Sequence, residues 1–163
     1  MTEIDRAKAM LPDMPNEAFD LWIRHCVSKS GWPYNKITDA GDEYWQGYFH
    51  GIPLETIQRL HWDHKNLPFS MSLIEPEARI MVNKMVLLHA QNFDPGVRVP
   101  TGSKGRFESA VSYIKEHGKI PSSIVLLSTP HGFKIFDGWH RLAAIHSLQK
   151  SVDPIELSCW IAS

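Results

Sequence analysis

Residues 134–145, KIFDGWHRLAAI, decide how the chain is read. The run up to Asp137 is β-type, and from Trp139 onward it reads as a helix, so the chain turns at Asp137-Gly138. Around that turn stand an acid, a glycine, an imidazole and a guanidinium: Asp137, Gly138, His140 and Arg141. A helix's first turn leaves backbone N–H groups without intrahelical partners and carries partial positive charge, so it favours anions. Gly138 has no Cβ and would let a ligand come close to the backbone. His140 and Arg141 would add donors, the guanidinium gripping two oxygens at once. Asp137 would cap the helix or hold a magnesium-bound water. A plainer reading stands beside this one: an ordinary aspartate N-cap, a turn glycine and a solvent-facing arginine. Residue types alone leave both open.

Working outward, SSIVLLS (122–128) and FKIFD (133–137) read as two short strands around the turn PHG (130–132). WHRLAAIHSLQK (139–150) is a helix with Leu142, Ala143, Ile145 and Leu148 available for burial, and PIELSCWIA (154–162) is a last strand opened by Pro154. Upstream, RFESAVSYIKEHG (106–118) is a helix with Phe107, Val111 and Ile114 facing in and Gly118 as its cap. FDPGVRVPTGSKGR (93–106) is a Pro/Gly loop, longer than most connections. PEARIMVNKMVLLHAQN (76–92) is the longest helix before the motif, with Ile80, Met81, Met85 and Leu88 at helical spacing.

Further back, DEYWQGYFH (42–50) and PLETIQRLHWD (53–63) are short helices, and GWPYNKITDAGD (31–42) is a turn-rich connector. EAFDLWIRHCVSKS (17–30) is a helix opened by Pro15 or Asn16 and stopped by Gly31, with Phe19, Trp22, Ile23 and Cys26 on one stripe. Residues 1–14 look like a loose arm. The expected architecture is a single α/β (α+β) domain over 1–163. Its helix-rich N-terminal part, 1–97, forms a layer packed on a small β-β-α-β unit, 98–163.

With 163 residues and 43% hydrophobic content, the chain can build a real core. The 17 Lys+Arg against 18 Asp+Glu leave a net charge of −1. A global basic field, the footprint of a dedicated nucleic-acid binder, is therefore lacking, and any phosphate binding must be local. Cys26 and Cys159 stand far apart without C-x-x-C spacing and read as buried thiols rather than a disulfide or a zinc site. MTEIDRAKAM has no apolar core, so no signal peptide is expected. ARIMVNKMVLLHA is broken by Asn83 and Lys84. The expectation is a cytoplasmic protein with no membrane insertion.

The order of elements from residue 98 to 162 resembles the ParB/sulfiredoxin superfamily. The corresponding run is RFESAVSYIKEHGKIPSSIVLLSTPHGFKIFDGWHRLAAIHSLQ, closed by VDPIELSCWIA. DGWHRLAA is its specific part, since ParB-like proteins often show D-G-x-H-R-x-x-A there. The resemblance implies chemistry on nucleotide or nucleic-acid phosphates: family members include CTP-using partition proteins, ATP-using sulfiredoxins, a free-serine kinase and nucleases. Gly138, His140 and Arg141 inherit the phosphate-holding role, and Asp137 follows less directly because the family varies there.

Sulfiredoxins carry a catalytic cysteine where this chain has Trp139, so sulfinic-acid reduction is not expected. Partition proteins continue into a helix-turn-helix domain and a dimerisation tail, whereas this chain ends at Ser163, so sequence-specific partition is not expected either. What remains resembles the small single-domain members of plasmids and phages, among them the Osa-type fertility-inhibition proteins. The resemblance thus implies an ATPase and/or DNase, with ATP or another NTP and Mg²⁺ as cofactors and nucleotide or DNA as partner. Two alternatives stay open. One is a binding module without turnover; the other is a small inhibitor that docks on a protein partner through its aromatic N-terminal half.

Three other features bear on the choice. Arg98, Lys104 and Arg106 lie close together, with Gly102 and Gly105 between them. Lys104 or Arg106 would neutralise the far side of a triphosphate or one DNA phosphate, unless the loop is simply a solvated basic one. The spacing is not that of a Walker A loop. HWDHK (61–65) offers His61, Asp63 and His64 either as metal ligands or as the polar end of a helix. Trp22, Trp32, Tyr34, Trp45, Tyr48, Phe49 and Trp62 could stack on bases, form core, or face a partner. Trp22 and Phe49 read as core; exposed Trp45 and Trp62 would be the anchors of an inhibitor. Trp139 would be a platform for a nucleobase or part of the core.

Overall fold

The computed structural model describes residues 1–149 and 155–163; Lys150 and Pro154, expected to end the last helix and open the last strand, lie outside them. The described residues form an α+β fold in two compact units, Met1–Asp63 with Ala162–Ser163, and His64–Ile161.

The first unit opens with helix α1 (Glu3–Met10), where a loose arm was expected. Thr2 and Asp5 form a reciprocal capping box that satisfies orphan amides of the first turn. Ala7, Leu11 and Met14 are buried, which ties the segment down. A second helical run comprises α2 (Asn16–Ala18), a π-turn (Phe19–Ile23) and α3 (Arg24–Ser30), and stops at Gly31, as its sequence implies. Next come α4 (Glu43–Tyr48), capped by Asp42, and α5 (Leu54–Gln58). Most of the aromatic residues of this unit are its core, while Tyr44 is exposed and Tyr48 and Trp62 are half-buried. Trp22, Trp32, Tyr34, Trp45 and Phe49 are all buried, with Trp32 and Trp45 edge-to-face at 5.0 Å. Trp45 is 0% exposed and donates its indole N–H to the Gly31 carbonyl at 2.8 Å, so the expectation of an exposed Trp45 anchor is corrected.

The second unit carries most of a four-stranded sheet of β1 (Trp62–Pro68), β2 (Ile124–Thr129), β3 (Gly132–Asp137) and β4 (Glu156–Ala162), in the order β1-β4-β2-β3. β1 replaces the expected helix end at HWDHK. Local propensity yields there to pairing, seen in the reciprocal His61–Ser163 backbone bonds of 2.9 Å. β2 and β3 form the expected antiparallel hairpin. A register shift between Val125 and Leu126 sets Asp137 opposite Val125, at the start of β2.

Helices α6 (Pro76–Ala90), α7 (Ser103–His117) and α8 (Trp139–Leu148) complete this unit. α6 buries Ala78, Val82, Met85 and His89, a stripe of one helical face. Ile80 and Met81, expected at the core, are 56% and 36% exposed. α6 lies before residue 98, yet its stripe joins Phe107, Ile114, Ile124, Leu142 and Leu157 in one hydrophobic cluster. α7 begins at Ser103, earlier than Arg106, so Lys104 and Arg106 sit in a helical first turn and not in a loop.

Candidate functional site

The strand-to-helix turn at 137–141 is built as a clamp. Arg141 donates from Nη2 to Asp137 Oδ2 at 2.6 Å, and from Nη1 to the carbonyls of Ser123 (2.6 Å) and Ser122 (3.2 Å) and to the Ser122 hydroxyl. One guanidinium thus ties the end of β3 to the segment entering β2. Neither an arginine pointing to water nor one gripping a ligand with both amino groups describes it.

Gly138 is the left-handed N-cap of α8, at φ 115. A Cβ there would lie 2.4 Å from Ile124 Cγ2 and 2.7 Å from Ile124 Cβ. The space that was expected to admit a ligand against Gly138 is therefore filled by a core side chain, and the glycine permits that packing. Trp139 is half-buried against the same core cluster.

His140 points into a different arrangement. Its Nε2 lies 2.8 Å from Ser103 Oγ, and Ser103 Oγ lies 2.9 Å from His89 Nε2. Ser103 is 2% exposed and His89 7%. This chain links the last turn of α6, the first residue of α7 and the first turn of α8. It sets two helix N-termini beside each other, both opened by left-handed glycines, Gly102 and Gly138, and neither capped by a side chain.

Burial pushes the His140 pKa down to about 4, helped by the positive charge of Arg106 and then by His89 and Arg141. Burial also lowers that of His89; the charge of Lys104 adds to this and that of Glu108 opposes it. Both imidazoles are neutral at pH 7. Each can donate or accept a hydrogen bond without bringing a charge into the interior.

On the outer side, Lys104 and Arg106 are exposed in the first turn of α7. Lys104 lies 3.9 Å from Glu108, and Arg106 makes a long 3.4 Å bond to the Thr101 carbonyl. Such surface contacts are weak and leave both cations usable by an anion. Arg98 is exposed in the preceding segment. The structure therefore brings His140, Lys104 and Arg106 to one joint, and commits Asp137, Gly138 and Arg141 to the fold.

Sequence reasoning missed His89 and Ser103. One signal for His89 was available: it falls on the apolar stripe of α6, where a buried imidazole requires a partner. Nothing local marks Ser103. The HWDHK group is split by strand alternation. His61 and Asp63 approach to 3.6 Å on one side, while His64 contacts the hydroxyls of Ser158 (3.1 Å) and Ser123 (3.2 Å). Among the described residues, no three His, Cys, Asp or Glu side chains converge as a metal set. Likewise, no helix is long and apolar enough to cross a membrane.

Compared with known proteins, the chain matches no family model, no curated protein and no solved structure.

Proposed function

We propose that this protein binds a phosphate group, carried by a nucleoside triphosphate or by the DNA backbone, where the first turns of α7 and α8 meet. The reading rests on the 2.8 Å contact between Ser103 Oγ and His140 Nε2, which joins two uncapped helix N-termini beside Lys104 and Arg106. Two such termini add their partial positive charges at one place and offer backbone donors to an anion. The net charge of −1 makes a local site of this kind the means by which the chain can hold phosphate. The resemblance of DGWHRLAA to the ParB/sulfiredoxin turn points the same way.

Binding is favoured over turnover by the state of the two groups that would act as bases. Asp137 is engaged by Arg141 at 2.6 Å. His140, with its pKa pushed down to about 4, is too weak a base to activate water at pH 7. The engaged Asp137 is also a poor fit for a protein-held Mg²⁺, which in this reading arrives with the triphosphate.

Calorimetric titration of the whole chain with ATP, CTP and a short DNA duplex tests the reading, with product analysis alongside. Saturable binding without product is expected, weakened about tenfold in Arg106→Ala by loss of one charge-assisted contact. Failure of every phosphate ligand to saturate the protein would reject it. Product formed by the wild type and lost in His140→Ala would replace binding with hydrolysis.

A further inference from the structure

The buried chain between α6 and α8 says how His140 meets its ligand. A serine hydroxyl has one proton to donate and lone pairs with which to accept. The hydroxyl of Ser103 lies between two imidazole Nε2 atoms, His89 at 2.9 Å and His140 at 2.8 Å. With both rings neutral, the protons have two consistent arrangements. In one, His140 donates to Ser103, Ser103 donates to His89, and His140 Nδ1 is left a bare acceptor. In the other every bond is reversed, and His140 carries its proton on Nδ1. The nearby charges are Arg106 and Arg141 around His140, and Lys104 and Glu108 around His89. Positive charge favours the tautomer that turns a lone pair toward it. An arriving anion offsets those cations and requires a donor.

We propose that His89 and Ser103 are positioning residues that set the tautomer of His140. When an anion is bound, His89 Nε2–H donates to Ser103, Ser103 donates to His140 Nε2, and His140 presents a neutral Nδ1–H to a phosphate oxygen. The inference rests on the phosphate-binding reading above and extends it to the ligand's ionisation state. A neutral donor suits a fully ionised phosphate, so affinity holds between pH 6.5 and 8, where an imidazolium donor would be lost.

The test is ¹⁵N NMR of the imidazole rings in the whole protein, free and titrated with inorganic phosphate and with ATP, with affinity measured in parallel. Saturation accompanied by a His140 signature of protonated Nδ1 and bare Nε2 is expected. Ser103→Ala and His89→Phe should lose that signature and weaken binding about tenfold. Ser103→Thr, which keeps the hydroxyl, and His89→Gln, which keeps an N–H donor, should retain most of both.

Binding with His140 protonated on Nε2 alone, or on both nitrogens, overturns the inference and leaves the binding reading intact. Failure of inorganic phosphate, ATP and the DNA duplex alike to bind removes both. If Ser103→Ala does not fold, the wild-type spectrum still decides.

Discussion

The entries to α7 and α8 begin alike and are used differently. Each opens on a left-handed glycine, Gly102 at φ 82 and Gly138 at φ 115, and each carries basic residues in its first turn. At α8 the guanidinium of Arg141 is surrounded by acceptors from Asp137, Ser122 and Ser123, and Ile124 fills the space against the glycine. At α7 nothing lies within 4 Å of where a Gly102 Cβ would stand, and Lys104 and Arg106 remain exposed. A basic pair after a glycine turn can therefore lock the fold or stay exposed. Which of the two it does depends on whether acceptors from elsewhere in the chain already occupy the basic group.

The largest effect should come from breaking the α8 clamp. Arg141→Ala removes one donor from Asp137 and from each of two carbonyls, and should cost about 2–3 kcal/mol of stability in urea unfolding. A loss within the ~0.5 kcal/mol of an ordinary surface change would return Arg141 to the ligand and erase the contrast. Gly138→Ala should follow at about 2 kcal/mol, since it adds both a Cβ against Ile124 and a strained φ. Gly102→Ala, at φ 82, meets open space and bears backbone strain without a clash, so it should cost less than Gly138→Ala.

Arg106→Ala should leave urea stability unchanged within ~0.5 kcal/mol while triphosphate affinity falls about tenfold and its salt dependence lessens. A variant that unfolds more easily but binds as before would make the α7 entry structural as well.

The smallest effect is a pH dependence. His140 has a folded pKa of about 4 against an ordinary 6.5, so the unfolded chain takes up the proton first as pH falls. Its contribution is complete above pH 6.5 and is lost down to about pH 4, on the order of 1 kcal/mol once solvent screening is discounted. His140→Gln should flatten that part of the curve. Equal slopes in the two proteins would show that the His140 ring is not held neutral by its surroundings.

Much of the second unit was legible because its signals are local. The hairpin around Gly132, the helix after Gly138 and the cap at Gly118 follow from residues within a few positions of each other. The start of α7 was misplaced because Pro100, Gly102 and Gly105 read as breakers, whereas Gly102 is the N-cap itself. The capping box at Thr2 and Asp5 was equally local and was overlooked. β1 was not legible: WDHKNLP has weak strand character, and its pairing partner lies at the far end of the chain. The site divides the same way. His140 is identified by the turn that carries it, but His89 and Ser103 reach it from 51 and 37 positions away in the chain.

By itself, the sequence determined the alternation of elements after residue 103, the turn at Asp137-Gly138 and the absence of a global basic field. These follow from spacing, backbone preference and charge count, which neighbours in the chain settle among themselves. Only the tertiary structure decided that Arg141, already at i,i+4 spacing from Asp137, also takes the carbonyls of Ser122 and Ser123, that Ile124 occupies the space beside Gly138, and that His140 is linked through Ser103 to His89. A side chain's partner is chosen by whichever donors and acceptors the folded chain brings within about 3 Å of it, and that choice has no trace in local spacing.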